Sequence, residues 1–425
     1  MTNPELLQLL RSEVIPAIGC TEPIAVALCT ARAKELLGAE PDSITVHLSK
    51  NVYKNALAVG IPNTGMTGLP IAIALGATVG RSEYMLEVLR DATPEAVAYA
   101  KAYMLRVPAT IKVDYEAPSL LYIHVEVSKE GQMAQATIMD EHTHFVEPGT
   151  RNQEASNISE IDTTANTLSL RRVYDFAASV DTSELTFLLE GAEMNTAAAE
   201  TSFADQYGHG LGRLLRANTL TATPEMEKLF GNTLFTKIIS YTCGACDARM
   251  SGAMVQVMSN SGSGNQGISC SIPVYLYAKE NNCTEEQTLR ALALSNLTVI
   301  YIKQSLGRLS ALCGCVVAAT GSAAGITYLM GGTYDEITYA IKNMIANISG
   351  MICDGAKPGC ALKVTSGVAT AIFSAYLAMQ HSYADSTEGI VEDDIDRTIR
   401  NLTRIGHDGM KVTDDLILDI MTHKQ

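Results

Sequence analysis

The spacing of apolar residues divides the chain into two regions. Before about residue 146, apolar and polar residues alternate with a period of two at 43–53 and through most of 110–146, which is typical of strands. From about residue 168 onward the apolar residues recur with helical spacing. No internal sequence repeat of fixed length is seen in this region. The first region predicts a small α/β lobe with an antiparallel sheet, and the second predicts a large all-α lobe.

These regions define a domain organisation for an α+β protein. We predict an α+β lobe at 1–146, an all-α lobe at 167–425 and a linker at 147–166, where turn-forming residues follow one another. The chain has 425 residues, of which 47% are hydrophobic, enough for two substantial cores.

Charge narrows the classes of partner. A net charge of −15 argues against non-specific binding to nucleic acid or to anionic membrane. Only 18% of residues are charged, which fits either an oligomer or a compact fold rich in buried helices. We expect a homo-oligomer, with a dimer favoured. The charge-free run at 309–334 is long enough to span a bilayer, but its many Gly, Ala, Ser and Thr residues favour a tightly packed buried helix.

The cysteines indicate a reducing compartment. The N-terminus lacks a basic segment followed by an apolar run, so no signal peptide is predicted and a cytoplasmic location is expected. Ten cysteines in such a chain are more typical of reduced catalytic or metal-binding thiols than of disulfides.

Cys20 is the first candidate for chemistry. The apolar pattern predicts helix over 4–37 with a break near Gly19–Pro23, so Cys20 lies just before a helix N-terminus. The N–H groups there stabilise a thiolate and are expected to lower the pKa of the thiol. The alternative is a small buried side chain without a chemical role.

Two donor-rich loops could hold a carboxylate. One follows Lys54 and Asn55 and includes Thr64, and its alternative is an ordinary strand–helix connection. The other, at 258–267, matches the dinucleotide pattern G-x-G-x-x-G in letters, but no series of alternating strands and helices accompanies it. We therefore favour an anion nest before a helix at 271–279.

Three further features remain open. Cys243 and Cys246 form a C-x-x-C, but with neither a β-α-β unit nor a second pair they are expected to serve helix packing. Asp247 and Arg249 stand where charges are scarce, and are either site residues or part of a solvated helix face. His142 and His144 lie two apart beside a strand and could share a face and bind metal, although no ligand set of zinc spacing accompanies them.

The remaining cysteines suggest a metal centre. Cys313, Cys315, Cys353 and Cys360 lie in two turn-rich segments whose spacing matches neither zinc fingers nor common ferredoxins. Buried structural thiols are the alternative. A cluster held by three cysteines would leave one iron open as a Lewis acid.

Together these motifs resemble the L-cysteine desulfidase group, also known as UPF0597 and similar to the serine dehydratase alpha chain. The resemblance rests on Gly19-Cys20-Thr21-Glu22-Pro23, on Lys54-Asn55, on the segment 261–267 and on 353–360. It implies a [4Fe-4S] cluster held by Cys353, Cys360 and one of Cys313 or Cys315, with Cys313 favoured. It also implies that Cys20 is the catalytic base.

The implied reaction is a β-elimination without pyridoxal phosphate, which converts L-cysteine to pyruvate, ammonia and hydrogen sulfide. An L-serine or L-threonine dehydratase of the same mechanism is one alternative, and a non-catalytic iron–sulfur sensor of redox state or thiols is another. The substrate is expected to be a small amino acid. The residues expected to bind it are Lys54, Asn55, Thr64, Arg249, Ser261, Ser263, Asn265 and Gln266.

Overall fold

The computed structural model describes residues 1–147, 168–221 and 224–423, without the side chains of 217–221 and 226. The linker expected at 147–166 lies outside the described residues, apart from Glu147. The described chain is α+β with a large helical part, as the periodicity predicts.

A five-stranded sheet forms the centre of the smaller lobe. Its strands are β2 (Ser43–Ser49), β5 (Thr110–Asp114), β6 (Tyr122–Lys129), β7 (Gln132–Met139) and β8 (Phe145–Val146), and their order is β5-β2-β6-β7-β8. The sheet is mixed, because β2 and β5 run parallel while the other pairs are antiparallel. The expected antiparallel sheet is therefore wrong at one edge, where a long crossover joins the two strands and allows the parallel arrangement.

Helices cover this sheet and separate its strands. Helix α2 (Thr21–Leu37) is buried over most of its length and packs on β6 and β7. The strand expected at 43–53 ends at Ser49, whose hydroxyl accepts a hydrogen bond from Val52 and caps α3 (Lys50–Ala56). A hairpin, β3 (Gly60–Ile61) and β4 (Met66–Thr67), then leads to α4 (Leu69–Thr78), a 3₁₀ segment and α5 (Pro94–Arg106).

The larger lobe is helical around α13 (Gly314–Leu329). This helix lies in the predicted charge-free run, is almost wholly buried, and packs against four neighbours, which confirms the expectation of a buried helix. The helices of this lobe are α6 (Leu170–Ser179), α7 (Thr186–Ala204), α8 (Leu211–Thr221), α9 (Pro224–Leu229), α10 (Leu234–Met250), α11 (Gly264–Glu280), α12 (Glu285–Leu306), α13, α14 (Tyr334–Ile348), α15 (Cys360–Met379), α16 (Ile395–Arg404) and α17 (Lys411–Thr422).

Of the helices described, α15 alone has the length and apolar composition to cross a membrane. Slightly under half of its most apolar window, 44%, is buried inside the fold. Cys360 is its first residue, so the helix carries one of the expected cluster ligands at its N-terminus.

The two lobes meet along a seam that includes the N-terminal segment. Helix α1 (Asn3–Glu13) places Leu6 and Leu10 in the apolar core of the helical lobe. Strand β1 (Pro16–Ile18) pairs antiparallel with β9 (Gln256–Met258), a strand inside the region expected to be all helical. The helix expected over 4–37 thus breaks earlier than predicted. Because α2 follows β1 directly, Cys20 lies at this seam.

Candidate active site

Cys20 is the N-cap residue of α2 and is 3% exposed. Its thiol donates a hydrogen bond to Oε2 of Glu22, with the two atoms 3.1 Å apart. Burial raises the pKa of Cys20 well above its ordinary value, and the Glu22 carboxylate raises it further. The expectation that the helix N-terminus lowers this pKa is wrong, because desolvation and a neighbouring negative charge outweigh the helix dipole.

Glu22 is held by several neighbours in a buried position. Asn55 donates from Nδ2 to Oε1 at 3.1 Å, and the hydroxyl of Thr21 donates to Oε2 at 3.1 Å. Burial opposes ionisation of this carboxyl, but nearby His142 and the hydrogen bond from Cys20 keep the pKa of Glu22 below its ordinary value. Cys20 therefore faces a fixed carboxylate.

Arg249 lies in the last turn of α10 and is 1% exposed. Its Nη1 donates to Oδ1 of Asn265 at 2.9 Å, whereas its Nε and Nη2 have no partner among the described residues. The guanidinium lies close against Gly264, where a Cβ would come within 2.3 Å of Nε. Its positive charge favours the thiolate of Cys20, which places both groups in one site. A buried cation with free donors is suited to a carboxylate ligand.

Gln266 connects this region to the cysteine segments. Its Oε1 is buried and has no hydrogen-bond partner within the described chain. Its side chain lies beside Gly314, where a Cβ would be 3.3 Å away, and Gly314 follows Cys313. Both Asn265 and Gln266 stand in the first turn of α11, so the helix expected at 271–279 begins earlier and the expected anion nest is shorter.

The segments that carry Cys313 and Cys353 pair with each other. Leu312 and Ile352 form an antiparallel bridge, and the N–H of Cys353 donates to the carbonyl of Ala311 at 2.6 Å. Cys313, Cys315, Cys353 and Cys360 contribute to the same apolar cluster as Cys20. A hydrogen bond from the Cys315 thiol lowers the pKa of Cys313 to about 7 despite burial, so Cys313 ionises most readily of the pair.

The donor set fits an iron–sulfur cluster in chemistry. Cys313, Cys353 and Cys360 lie close to one another. Besides burial, Cys313 raises the pKa of Cys353, and both Cys313 and Cys353 raise the pKa of Cys360. Lys357 and Lys363 both contact Asp354 within this loop, and their charges favour the thiolates. As placed, no three Cys, His, Asp or Glu side chains in the described ranges converge on a metal position. In this placement the Cys360 thiol points to the carbonyl of Gly355 at 3.7 Å, so a cluster would require the thiols to move.

Other predicted substrate residues have structural partners. The ammonium of Lys54 contacts Asp414 and the carbonyl of Cys353, so it supports the cysteine loop. Thr64 donates to the carbonyl of Ile61 at 2.7 Å and closes the β3–β4 hairpin. The hydroxyls of Ser261 and Ser263 contact Asn260 and the N–H of Gln266, respectively. A substrate contact from these four residues stays a prediction.

The expected same-face histidine pair is not formed. His142 is buried beside Glu22, with Gly262 against its ring, whereas His144 is exposed and contacts the carbonyl of Met139. The chain turns before β8, so one of the two side chains is buried and the other is exposed. Burial lowers the pKa of His142 to about 4, so its imidazole is neutral at physiological pH.

The C-x-x-C segment is buried within α10, as expected for helix packing. Cys246 nevertheless lies near Cys360 and Cys315, so it borders the cysteine cluster. Asp247 is 0% exposed and accepts from the N–H of His209 at 3.3 Å. It is therefore part of the core, and the alternative of a solvated helix face for Asp247 and Arg249 is wrong.

Sequence reasoning missed two charged residues of this site. Glu22 belongs to the recognised 19–23 motif, and its place two residues after Cys20 is the signal that could have identified it. Lys303 is 8% exposed and donates to the carbonyl of Arg308 at 2.9 Å. It also interacts electrostatically with both Cys353 and Glu22. Burial lowers the pKa of Lys303 to about 8. Its charge therefore acts on both the Cys20 region and the cysteine loop.

Comparison with known proteins defines the class. A family model of the serine dehydratase alpha chain matches residues 83–419, and the chain belongs to this family. The family suggests an amino-acid dehydratase, which is a lyase-type activity.

Relatives extend the match to the whole chain. A UPF0597 protein of Phocaeicola vulgatus is 56% identical over 99% of this chain and 98% of its own length. Similar proteins occur in Bacteroides thetaiotaomicron, at 56% identity with the same coverage, and in Oleidesulfovibrio alaskensis, at 42% identity over all of both chains. The resemblance to UPF0597 and to the serine dehydratase alpha chain is thereby confirmed.

Proposed function

We propose that this protein catalyses the β-elimination of a small L-amino acid, with L-cysteine as the first candidate, and that it does so with a [4Fe-4S] cluster and without pyridoxal phosphate. The products would be pyruvate, ammonia and hydrogen sulfide. The observation that carries the proposal is the meeting of Cys20, its carboxylate partner Glu22 and the half-partnered Arg249 in the same buried region as Cys313, Cys353 and Cys360.

Arg249 binds the substrate carboxylate in this proposal. The free Nε and Nη2 donors of a guanidinium lie side by side and match the two oxygens of a carboxylate. The free Oε1 of Gln266 is suited to accept from the substrate's ammonium group. Satisfying these buried groups with a ligand removes the cost of leaving them unpaired.

Cys20 removes the Cα proton in this proposal, because its thiolate would lie in the same buried region as Arg249, which binds the substrate carboxylate. A positioned base of this kind contributes roughly 10²–10⁴-fold to a proton transfer. Cys313, Cys353 and Cys360 would hold the cluster, whose open iron would supply Lewis acidity at the leaving group. Exclusion of water from this buried region strengthens the interaction of Arg249 with the developing carbanion.

L-Serine is the second candidate substrate. The family name supports it, since the matching model is that of a serine dehydratase alpha chain. The buried residues described above bind the carboxylate and ammonium that serine and cysteine share, so the choice depends on the leaving group.

The test is anaerobic reconstitution with iron and sulfide, followed by assays of pyruvate and sulfide from L-cysteine and L-serine. Cys20→Ala should keep the cluster absorbance and lose turnover, whereas Cys353→Ser should lose both. Cys283→Ser, at a half-exposed cysteine of the loop before α12, is the matched control and should change neither.

The outcomes separate the candidates. Sulfide and pyruvate from cysteine, with little product from serine, establishes a desulfidase, and pyruvate from serine alone establishes a dehydratase. A stable cluster with no product from either substrate would contradict the elimination and favour a sensor of redox state or thiols. The expected homodimer and cytoplasmic location stay predictions.

A further inference from the structure

We propose that Glu22 is the positioning residue of the Cys20 base, and that it takes the thiol proton when Cys20 becomes the thiolate. The inference deepens the proposed function and rests on it. It assigns to Glu22 a role in proton transfer that acts through Cys20: the carboxylate first accepts the thiol proton and later gives it to the departing group.

The geometry fixes one carboxylate against one thiol. Oε2 of Glu22 lies 3.1 Å from Sγ of Cys20, while Asn55 holds Oε1 at 3.1 Å and Thr21 adds a third hydrogen bond. Cys20 and Glu22 are 3% and 8% exposed, respectively. The carboxylate therefore cannot turn away to solvent without breaking several buried hydrogen bonds, each of which is costly to leave unmade.

A local acceptor solves a problem that burial creates. Cys20 is only 3% exposed, so its thiol has little contact with bulk solvent, yet a general base must lose its own proton before it can accept another. The charged or titratable groups that surround the pair are Arg249 on α10, Lys303 on α12 and His142 in the turn before β8. Arg249 and Lys303 are cations at neutral pH, and the Nε2 atom of His142 has no hydrogen-bond partner among the described residues. The anionic Glu22, in contrast, already accepts a hydrogen bond from the thiol, so it is the proton acceptor.

The proton balance closes over one turnover. The S–H proton of Cys20 passes to Glu22, and the Cα–H proton then forms a new S–H bond. The C–H electron pair becomes the Cα=Cβ bond as the bond from Cβ to sulfur or oxygen breaks, and the leaving group departs with that bonding pair. The proton on Glu22 neutralises the departing sulfide or hydroxide, so Cys20 and Glu22 return to their starting states without any added oxidant or reductant.

This pairing makes a distinctive prediction for pH dependence. The thiol with carboxylate and the thiolate with carboxylic acid contain the same number of protons, so their ratio does not change with pH. Turnover of the wild-type enzyme should therefore stay level at pH values well below that at which Cys20 itself ionises. Without the carboxylate, turnover should rise tenfold per pH unit until the Cys20 thiol ionises.

The experiment compares the wild type with Glu22→Gln. Gln keeps the size and can still hydrogen bond to Asn55 and Cys20, but cannot accept the proton. The anaerobic rate of Cys20 alkylation by iodoacetamide, followed by mass spectrometry from pH 6 to 12 in pulses short enough to precede unfolding, gives the ionisation of this thiol. The pH profile of kcat/KM for elimination is measured on the same reconstituted samples.

We expect two shifts in Glu22→Gln. The alkylation midpoint should move to lower pH, because a negative charge next to the thiolate is removed. The acid limb of kcat/KM should coincide with that midpoint, whereas in the wild type turnover should persist below it. Glu141→Gln is the matched control, since this exposed carboxylate pairs with Arg308 and not with Cys20, and it should leave both curves unchanged.

The results that would overturn the inference are distinct from those that would overturn the function. If wild-type turnover follows the wild-type alkylation midpoint, Glu22 does not take the proton, although Cys20 can remain the base. If no substrate is turned over, the proposed function fails, and an unchanged alkylation midpoint in Glu22→Gln would then also refute the pairing. Should Glu22→Gln not fold, Glu22→Asp, which keeps the charge but withdraws it from Sγ, should show the same two shifts in smaller measure.

Discussion

At the residue scale, Arg249 is the side chain whose placement is hardest to explain without a ligand. A guanidinium that is 1% exposed and leaves two donor nitrogens unpaired costs stability in the free protein. Such a cost is typical of binding sites, where the ligand supplies the missing partners. Gly264 permits the close approach, since any side chain there would collide with the guanidinium.

We expect Arg249→Lys to lower kcat/KM for L-cysteine by about 10²-fold, because an ammonium group retains the charge but loses the two-pronged hydrogen bonding. The measurement compares kcat/KM for L-cysteine with the inhibition constant of cysteamine, an analogue that lacks the carboxylate. The inhibition constant of cysteamine should change little between the wild type and the variant. An equal loss for L-cysteine and cysteamine would show that Arg249 does not bind the carboxylate.

His142 gives the fold a dependence on acid. Its pKa of about 4 lies below the value near 6.5 expected in the unfolded chain, so between these values the unfolded chain binds more protons. Stability is therefore greatest above about pH 6.5 and falls as the pH drops toward 4. The loss is on the order of 3 kcal/mol at most.

The check is urea unfolding between pH 4 and 7 for His142→Gln. The variant should lose much of the pH dependence that the wild type shows in this range. His144→Gln, at an exposed neighbour, is the control and should follow the wild type. If His142→Gln keeps the full slope, acid instability arises from other groups.

The residue chemistry could be predicted in part. Cys20 was identifiable because a proline and an alanine-rich run announce the helix that follows it. The partner of Lys54 was not, because Asp414 lies 360 positions away and its contact depends on how α17 packs against α3. The burial that raises the pKa of Cys20 likewise depends on chain segments far from its motif.

At the element scale, the loop between α14 and α15 places Cys353 through a close backbone contact. Gly355 has a φ of +86°, and a Cβ there would lie 2.6 Å from the carbonyl oxygen of Lys54. Only glycine meets both conditions without strain. The loop thus rests directly on α3.

We expect Gly355→Ala to destabilise this loop by about 1–3 kcal/mol and to reduce the iron bound per chain after reconstitution. Gly350→Ala is the matched control in the same loop, because a Cβ there meets nothing within 4 Å. Iron analysis and the thermal midpoint of each variant provide the measurement. Equal iron in both variants would mean that the Gly355 contact does not position Cys353.

Elements were predictable where one periodicity persists. Helix α13 was recognisable because its composition is uniform, whereas β2 was extended too far because the apolar alternation continues into α3 through Val52. The parallel pairing of β2 with β5 could not be derived from alternation, which is identical for both directions. The role of Gly267, the last glycine of the G-x-G-x-x-G pattern, also could not be derived from sequence spacing. A Cβ added there would collide with the carbonyl of Met258, so this glycine allows α11 to pack closely.

At the scale of the whole molecule, the candidate site lies where the lobes join. Cys20 and Glu22 belong to the segment that links β1 to α2, while Arg249 and the cysteine loops come from the helical lobe. Arg308 binds Glu13 with two hydrogen bonds of 2.8 and 2.9 Å, and so fixes the end of α1 against this seam. The sequence motifs identify the participants, but their convergence depends on lobe packing that no local pattern encodes.

The pair of Lys54 and Asp414 is the most buried ion pair across this seam, with side chains 2% and 10% exposed. It ties α17 to α3 and, through the carbonyl of Cys353, to the cysteine loop. Removal of one partner from a buried ion pair commonly costs about 3–5 kcal/mol, since the other charge is left without compensation. The exposed pair of Lys50 and Asp415 nearby should contribute about 0–1 kcal/mol.

We therefore expect Asp414→Leu to lower the thermal midpoint markedly and to speed cluster loss in air, measured by the decay of the cluster absorbance. Asp415→Leu is the matched control on the next residue of α17 and should change both quantities little. The double variant Lys54→Met with Asp414→Leu should recover much of the thermal stability, because two apolar side chains can replace a buried ion pair. If cluster loss returns to the wild-type rate together with stability, the pair acts only on the fold; if it stays fast, the ammonium of Lys54 itself holds the Cys353 loop.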